Sequence, residues 1–233
     1  MVDFVIPPAA TPSVAVAGST ARFPIRRVFC VGRNYAAHAR EMGQDPEREA
    51  PFFFMKPADA VVAAEGVIAY PPATNDLHHE VEMVVALKAG GVNVAPEQAL
   101  ALVWGYGIGL DLTRRDLQAL AKEQRRPWDF AKGFDASAPC SALHPVDEVG
   151  HPVDAQISLT INGVVLQHGT LQEMIWPVAD VISHLSRFVE LAPGDLIFSG
   201  TPAGVGPLQP GDRVLGMLAG VAAFELEIGQ APS

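Results

Sequence analysis

Cysteine is nearly absent: the 233 residues hold two, Cys30 and Cys140, with no C-x-x-C spacing. That argues against a disulfide-stapled scaffold and leaves two thiols expected in the interior. Positive charge is scarce as well. Sixteen Lys and Arg stand against 26 Asp and Glu, a formal net charge of −10. No basic surplus exists to neutralise nucleic-acid phosphates or an anionic membrane, so neither is an expected partner. An anionic small molecule would need a local positive site, from a metal or from selected Lys and Arg. No run approaches the roughly eighteen uninterrupted apolar residues of a spanning helix. The start, "MVDFVIPPAATPSVAVAGST", lacks a basic n-region and carries prolines, which reads as a cytoplasmic protein without a secretory signal. Internal repeats, heptads and low-complexity tracts are missing too.

What is present is a β-rich pattern. Hydrophobic residues make up 49% of the chain and charged residues 18%, enough for one large domain with a substantial core. The 21 glycines and 20 prolines are spread through the chain. They punctuate short Val/Ile/Leu-rich runs as turn signals do. Expected strands are "RVFCVG", "PFFFMKP", "EVEMVVAL", "VWGYGIGLDLT", "QISLTING", "DLIFSG", "DRVLGML" and "AAFELEI". "TINGVVLQ" places Asn-Gly between alternating residues, a strong hairpin signal. Helical spacing occurs in "NYAAHAREMG", with Asn34 as a candidate N-cap, and in "APEQALALV", "TRRDLQALAKEQ" and "PVADVISHLSRFVEL". Residues 1–20 read as a Pro/Ala-rich arm and residues 21–233 as a single domain.

"DLHHEVEMVV" carries the first chemical signal. Side chains alternate along a strand, so His78, Glu80, Glu82 and Val84 share one face while His79, Val81, Met83 and Val85 form a core face. Two carboxylates about 7 Å apart along a strand repel each other unless a cation or water screens them. A solvated polar sheet face would explain the pair alone. Asp111, at the end of the nearly uncharged "WGYGIGLDLT", shifts the balance. Three carboxylates with open positions suit Mg²⁺ or Mn²⁺, and Ca²⁺ is compatible. His78 and His79 keep Zn²⁺ as the lesser alternative.

Seven blocks now stand in order: "CVGRNYAAHAREMG", "FFFMKPADAVV", "DLHHEVEMVVAL", "GLDLTRRDLQ", "PWDFAKGFDASAP", "NGVVLQ" and "GDLIFSGTPAGVGPLQPGD". Together they resemble the fumarylacetoacetate hydrolase family, most closely its fumarylpyruvate and acylpyruvate hydrolase branch, over about residues 22–228. The resemblance implies an α+β, predominantly β fold, a mixed β-sandwich roll with a few peripheral helices, assembled as a homodimer. It implies Glu80, Glu82 and Asp111 as ligands of Mg²⁺ or Mn²⁺, and His38 with Glu41 as the pair that activates water. Those two lie three residues apart, on one face if the segment is helical. Taken alone they would pass for a surface pair.

By the same resemblance Lys132 lies near metal and substrate, and the Gly200–Thr201 amides of "SGTPAGVG" face a substrate carboxylate. Without it, a solvated lysine and a simple turn serve as well. Arg33, Arg115 and Gln118 are weaker substrate candidates, with Arg115 suited to a distal carboxylate. His144, His151, His168 and His184 receive no role. Ser137 and Ser199 lack the neighbours of a nucleophile, and Cys30 reads as core.

The implied activity is metal-dependent hydrolysis of the C–C bond of an acylpyruvate, fumarylpyruvate foremost, in gentisate-type aromatic catabolism. Oxaloacetate decarboxylation and hydroxymuconate-type isomerisation or decarboxylation are alternatives at the same site. A non-catalytic binding protein is the reading from another class. Residues 34–50 fit the part of a lid over the site.

Overall fold

The computed structural model describes residues 3–37 and 50–231. Among the described residues strands make up 41% and helices 18%, an α+β fold dominated by sheet. The largest sheet runs in the order Phe52–Lys56, Arg27–Gly32, Asp195–Phe198, Val81–Leu87, Val103–Leu110, Ala138–Cys140, Val61–Ala63, and His144–Pro145 pairs beside Val103–Leu110. A five-stranded sheet runs Val164–Thr170, Gln156–Ile161, Arg213–Leu218, Ala222–Gly229, Glu65–Ala69. Both mix parallel and antiparallel pairs.

The two sheets face each other across the main core. Ile157, Leu159 and Leu226 from the five-stranded sheet meet Val81, Met83, Val85 and Ile108 of the larger one. On the reverse face of the larger sheet, Val84, Ala86, Cys30 and Phe198 form a second core. The hairpin of Ser13–Ala15 and Arg22–Pro24 caps it through Val14 and Phe23, so the later part of the expected arm packs on the body. Both cysteines are buried free thiols.

The strand pattern follows the sequence closely. Asn162 and Gly163 both take positive φ, 50° and 82°, the left-handed pair that a two-residue hairpin requires. Three expectations need correction. The strand beginning at Val103 ends at Leu110, so Asp111 lies just beyond it. The helix expected over "APEQALALV" is a single turn, Pro96–Ala99, that tightens into 3-10 geometry over Leu100–Leu102. Asn34 is no N-cap: its amide reaches Trp176 and Ser199 across the fold. Among the described residues no helix is long and apolar enough to cross a membrane.

Candidate metal centre and substrate cleft

Glu82 sits inside the Val81–Leu87 strand, every residue of which is buried. A solvated polar face is therefore excluded, since Glu82 is only 1% exposed. Glu80 immediately precedes the strand. Val81 pairs with Leu110, and one step further the Asp111 N–H donates to the Glu80 carbonyl at 2.9 Å. This continuation of the ladder carries Asp111 alongside the glutamates. One carboxylate oxygen from each of Glu80, Glu82 and Asp111 lies within 4.8 Å of the others. The structure thus brings together all three expected ligands.

Positive side chains surround two of the three. Lys132 Nζ donates to Glu80 Oε2 at 2.8 Å and to Asp111 Oδ2 at 2.7 Å. Lys56 Nζ lies 2.8 Å from Asp111 Oδ1, while its hydrogens go to the carbonyls of Leu112 and Lys132. Arg115 pairs with Glu80 and also donates to Gln118 Oε1 at 2.6 Å. Burial works against the Lys132 charge, but Asp111 and Glu80 outweigh it and hold its pKa above the usual lysine value.

Glu82 is different. Its Oε2 accepts the Gly200 N–H at 2.8 Å, and among the described residues no cationic side chain forms an ion pair with it. Burial, then Asp111 and Glu80, push its pKa well above the ordinary carboxylate value. A buried carboxylate in that position is stabilised by a cation it can share with its neighbours. An all-oxygen donor set suits a hard divalent ion. The histidines stand apart: His79 Nδ1 engages Gln167 and His78 Nε2 engages Asp76. That removes the ground for zinc. Lys56, Lys132 and Arg115 already match the three carboxylates in formal charge, so an added dication would leave the cluster net positive and attractive to a small anion.

The cleft beside the cluster is walled by the aromatic rings of Phe52, Phe54 and Trp128 and by polar Arg33, Arg115 and Thr201. Gln118, buried, reaches it from the Arg115–Glu123 helix. Arg33 holds φ at 60°, a left-handed conformation rare for arginine, with its guanidinium over the Phe52 ring. Gly200 does not present its amide to the cleft as expected, because Glu82 uses that N–H. Its φ of 94° and a Cβ position only 2.6 Å from Asn34 Cβ explain why glycine stands there. Thr201 is 3% exposed and lines the cleft. His38 and Glu41 lie outside the described residues.

Residues 27–228 match the family model described as fumarylacetoacetate (FAA) hydrolase C-terminal. The chain belongs to the fumarylacetoacetate hydrolase family. It is 40% identical over 187 residues to a fumarylpyruvate hydrolase from Ralstonia sp, covering 80% of this chain and 97% of that one. It is equally 40% identical, over 198 residues, to the oxaloacetate tautomerase YcgM of Escherichia coli (strain K12), covering 84% and 90%. Its fold matches the crystal structure of fumarylpyruvate hydrolase from Pseudomonas aeruginosa in complex with Mn²⁺ and pyruvate. The TM-score is 0.96 at 50% identity, with 98% of this chain and 100% of that chain covered.

Three residues of this family member's site were not anticipated. Lys56 closes the apolar run "PFFFMKP"; a lone charge ending such a run was the available signal. Asn34 and Gln167 are buried amides that hold the Ser199–Pro202 turn from two directions. No local signal marked Gln167, and the one at Asn34 pointed to a helix cap.

Proposed function

We propose that this chain is a divalent-metal-dependent hydrolase of an acylpyruvate, with fumarylpyruvate as the leading substrate and fumarate and pyruvate as products. The observation that carries the reading is the buried trio Glu80, Glu82 and Asp111 beside Lys132, opening on a cleft bordered by Arg33, Arg115 and Thr201. Likeness to two fumarylpyruvate hydrolases, one holding Mn²⁺ and pyruvate, supports it. A cytoplasmic homodimer acting in gentisate-type catabolism belongs to the same proposal.

In the reaction, water oxygen bonds to C4 and the C3–C4 bond breaks. The electron pair moves to C3 and onto the 2-keto oxygen as an enolate, and a proton added at C3 completes pyruvate. Glu80, Glu82 and Asp111 would hold a divalent ion, which would supply Lewis acidity to that developing charge. Lys132, whose Nζ donates to Glu80 and Asp111, adds a positive charge beside that developing enolate. We assign proton removal from water to His38, oriented by Glu41. We assign a distal substrate carboxylate to Arg115, which pairs with Glu80 and donates to Gln118.

A second reading, enol–keto interconversion of oxaloacetate, is favoured by the equal identity to the Escherichia coli tautomerase. Purified protein with Mg²⁺ or Mn²⁺ should release fumarate and pyruvate in equal amounts from fumarylpyruvate. His38→Ala should lose turnover while retaining Mn²⁺. Rapid oxaloacetate interconversion without cleavage of fumarylpyruvate or acetylpyruvate would replace the first reading with the second.

A further inference from the structure

Gln167 has no solvent exposure, yet it belongs to the Val164–Thr170 strand, whose neighbours Val165, Leu166 and His168 are exposed. A neutral polar side chain turned inward costs stability unless every hydrogen-bonding group finds a partner. All of them do. Oε1 accepts from the Val81 N–H at 3.1 Å and contacts His79 Nδ1 at 2.9 Å. Nε2 donates to Thr201 Oγ1 and to the Pro202 carbonyl, each at 2.8 Å.

The backbone partners fix the amide's orientation without reference to any proton position. The Val81 N–H can only donate, so it faces the oxygen. The Pro202 carbonyl can only accept, so it faces the nitrogen. His79 Nδ1 must then donate, and Thr201 Oγ1 must accept. The Thr201 hydroxyl hydrogen therefore points away from Gln167 and is available to an oxygen in the cleft that Thr201 lines.

The strand is built to deliver this contact. Its register against Gln156–Ile161 shifts between Leu159 and Thr160, which pair with Gln167 and Val165, so Leu166 is an extra residue. Such a bulge re-aims the adjacent side chain. The turn after Thr201 seats on the bulge: at Gly204, with φ of 91°, a Cβ would come 2.1 Å from the Leu166 carbonyl oxygen. Through Val81, the same amide tethers the backbone residue between Glu80 and Glu82.

We infer that Gln167 is a positioning residue that sets the Thr201 hydroxyl as a hydrogen-bond donor toward the bound keto acid, coupling the five-stranded sheet to substrate binding. The inference rests on the reading of the cleft as a keto-acid site. A passive plug would affect folding and all ligands alike; a positioning residue acts through one hydroxyl.

The test is calorimetric titration of pyruvate into Mn²⁺-loaded protein, with Mn²⁺ affinity and thermal midpoint measured alongside. In the wild-type background, Thr201→Ser should bind pyruvate about tenfold or more tighter than Thr201→Val, the worth of a hydrogen bond to a charged acceptor. In a Gln167→Met background that gap should close to within twofold, with pyruvate affinity falling far more than Mn²⁺ affinity. Gln167→Glu, which keeps the acceptor oxygens and removes both donors, should close it equally and serves if the methionine variant does not fold. A full serine–valine gap in either folded Gln167 background overturns the inference alone. The absence of a gap in the wild-type background overturns the Thr201 assignment beneath it. Parallel losses in Mn²⁺ affinity and thermal midpoint would reduce Gln167 to a packing element.

Discussion

The two facing sheets use carboxylates in opposite ways. In the five-stranded sheet, Arg213–Leu218 alternates strictly between exposed and buried, and Glu225 and Glu227 project from Ala222–Gly229 toward water and the sheet surface. There the acids are solvated and the apolar partners face one core. In the larger sheet, Val81–Leu87 is buried on both faces, and Glu82 lies among core residues. A solvated glutamate contributes little to stability or function. A buried one is costly unless a cation shares it, which marks the inner sheet as the place where stability yields to chemistry.

The largest expected difference between the sheets lies in activity. Glu82→Leu should lower turnover by about a thousandfold or more, since it removes a donor from the charge-stabilising cluster. Metal-free protein should at the same time keep or raise its thermal midpoint, because a buried unpaired carboxylate is replaced by an apolar side chain. A variant that loses both activity and folding would place Glu82 in the structural framework instead. Glu225→Leu, its outer-sheet counterpart, should leave turnover as it is.

Next comes packing. Leu159 is fully buried on the inner face of the five-stranded sheet, so Leu159→Ala should cost about 2–5 kcal/mol in chemical denaturation. Leu215, two strands from the edge and 44% exposed, should change stability by no more than about 0.5 kcal/mol on replacement by serine. If both substitutions cost the same, the outer face is not the solvated face it presents.

A smaller effect separates the sheets by pH. In metal-free protein the raised pKa of Glu82 means that the folded state holds its proton more tightly than the unfolded chain. Stability therefore falls as pH rises from the ordinary carboxylate value through the raised one. Chelation should lower the thermal midpoint more at pH 8 than at pH 6, and Glu82→Gln should erase that difference. The solvated Glu225→Gln should not.

The contrast also sets what the sequence could disclose. Four strands of the five-stranded sheet were legible because one-sided burial writes an alternating pattern, and the Asn162–Gly163 turn is a two-residue signal; the edge strand Glu65–Ala69, which joins through a parallel pairing with Ala222–Gly229, was not. The carboxylate trio was legible because acids inside apolar runs are anomalous. Lys132 needed the family resemblance: its helix, Asp129–Lys132, is a single turn, too short to show a periodicity. Asn34 misled because capping is a local rule, whereas its partner Ser199 is 165 residues away. Gln167 was invisible for a related reason. A neutral amide on a strand carries no periodic or charge signal, and the bulge that turns it inward depends on pairing with a separate strand.

Calorimetric titration of Mn²⁺ into wild-type protein and Glu82→Gln measures the shared-cation claim most directly. Wild type should bind at one site per chain, with affinity weakening as pH falls through the raised Glu82 pKa, and the variant should bind about a hundredfold or more weakly. Equal, pH-insensitive affinity in the two proteins would mean that the buried carboxylates hold no ion.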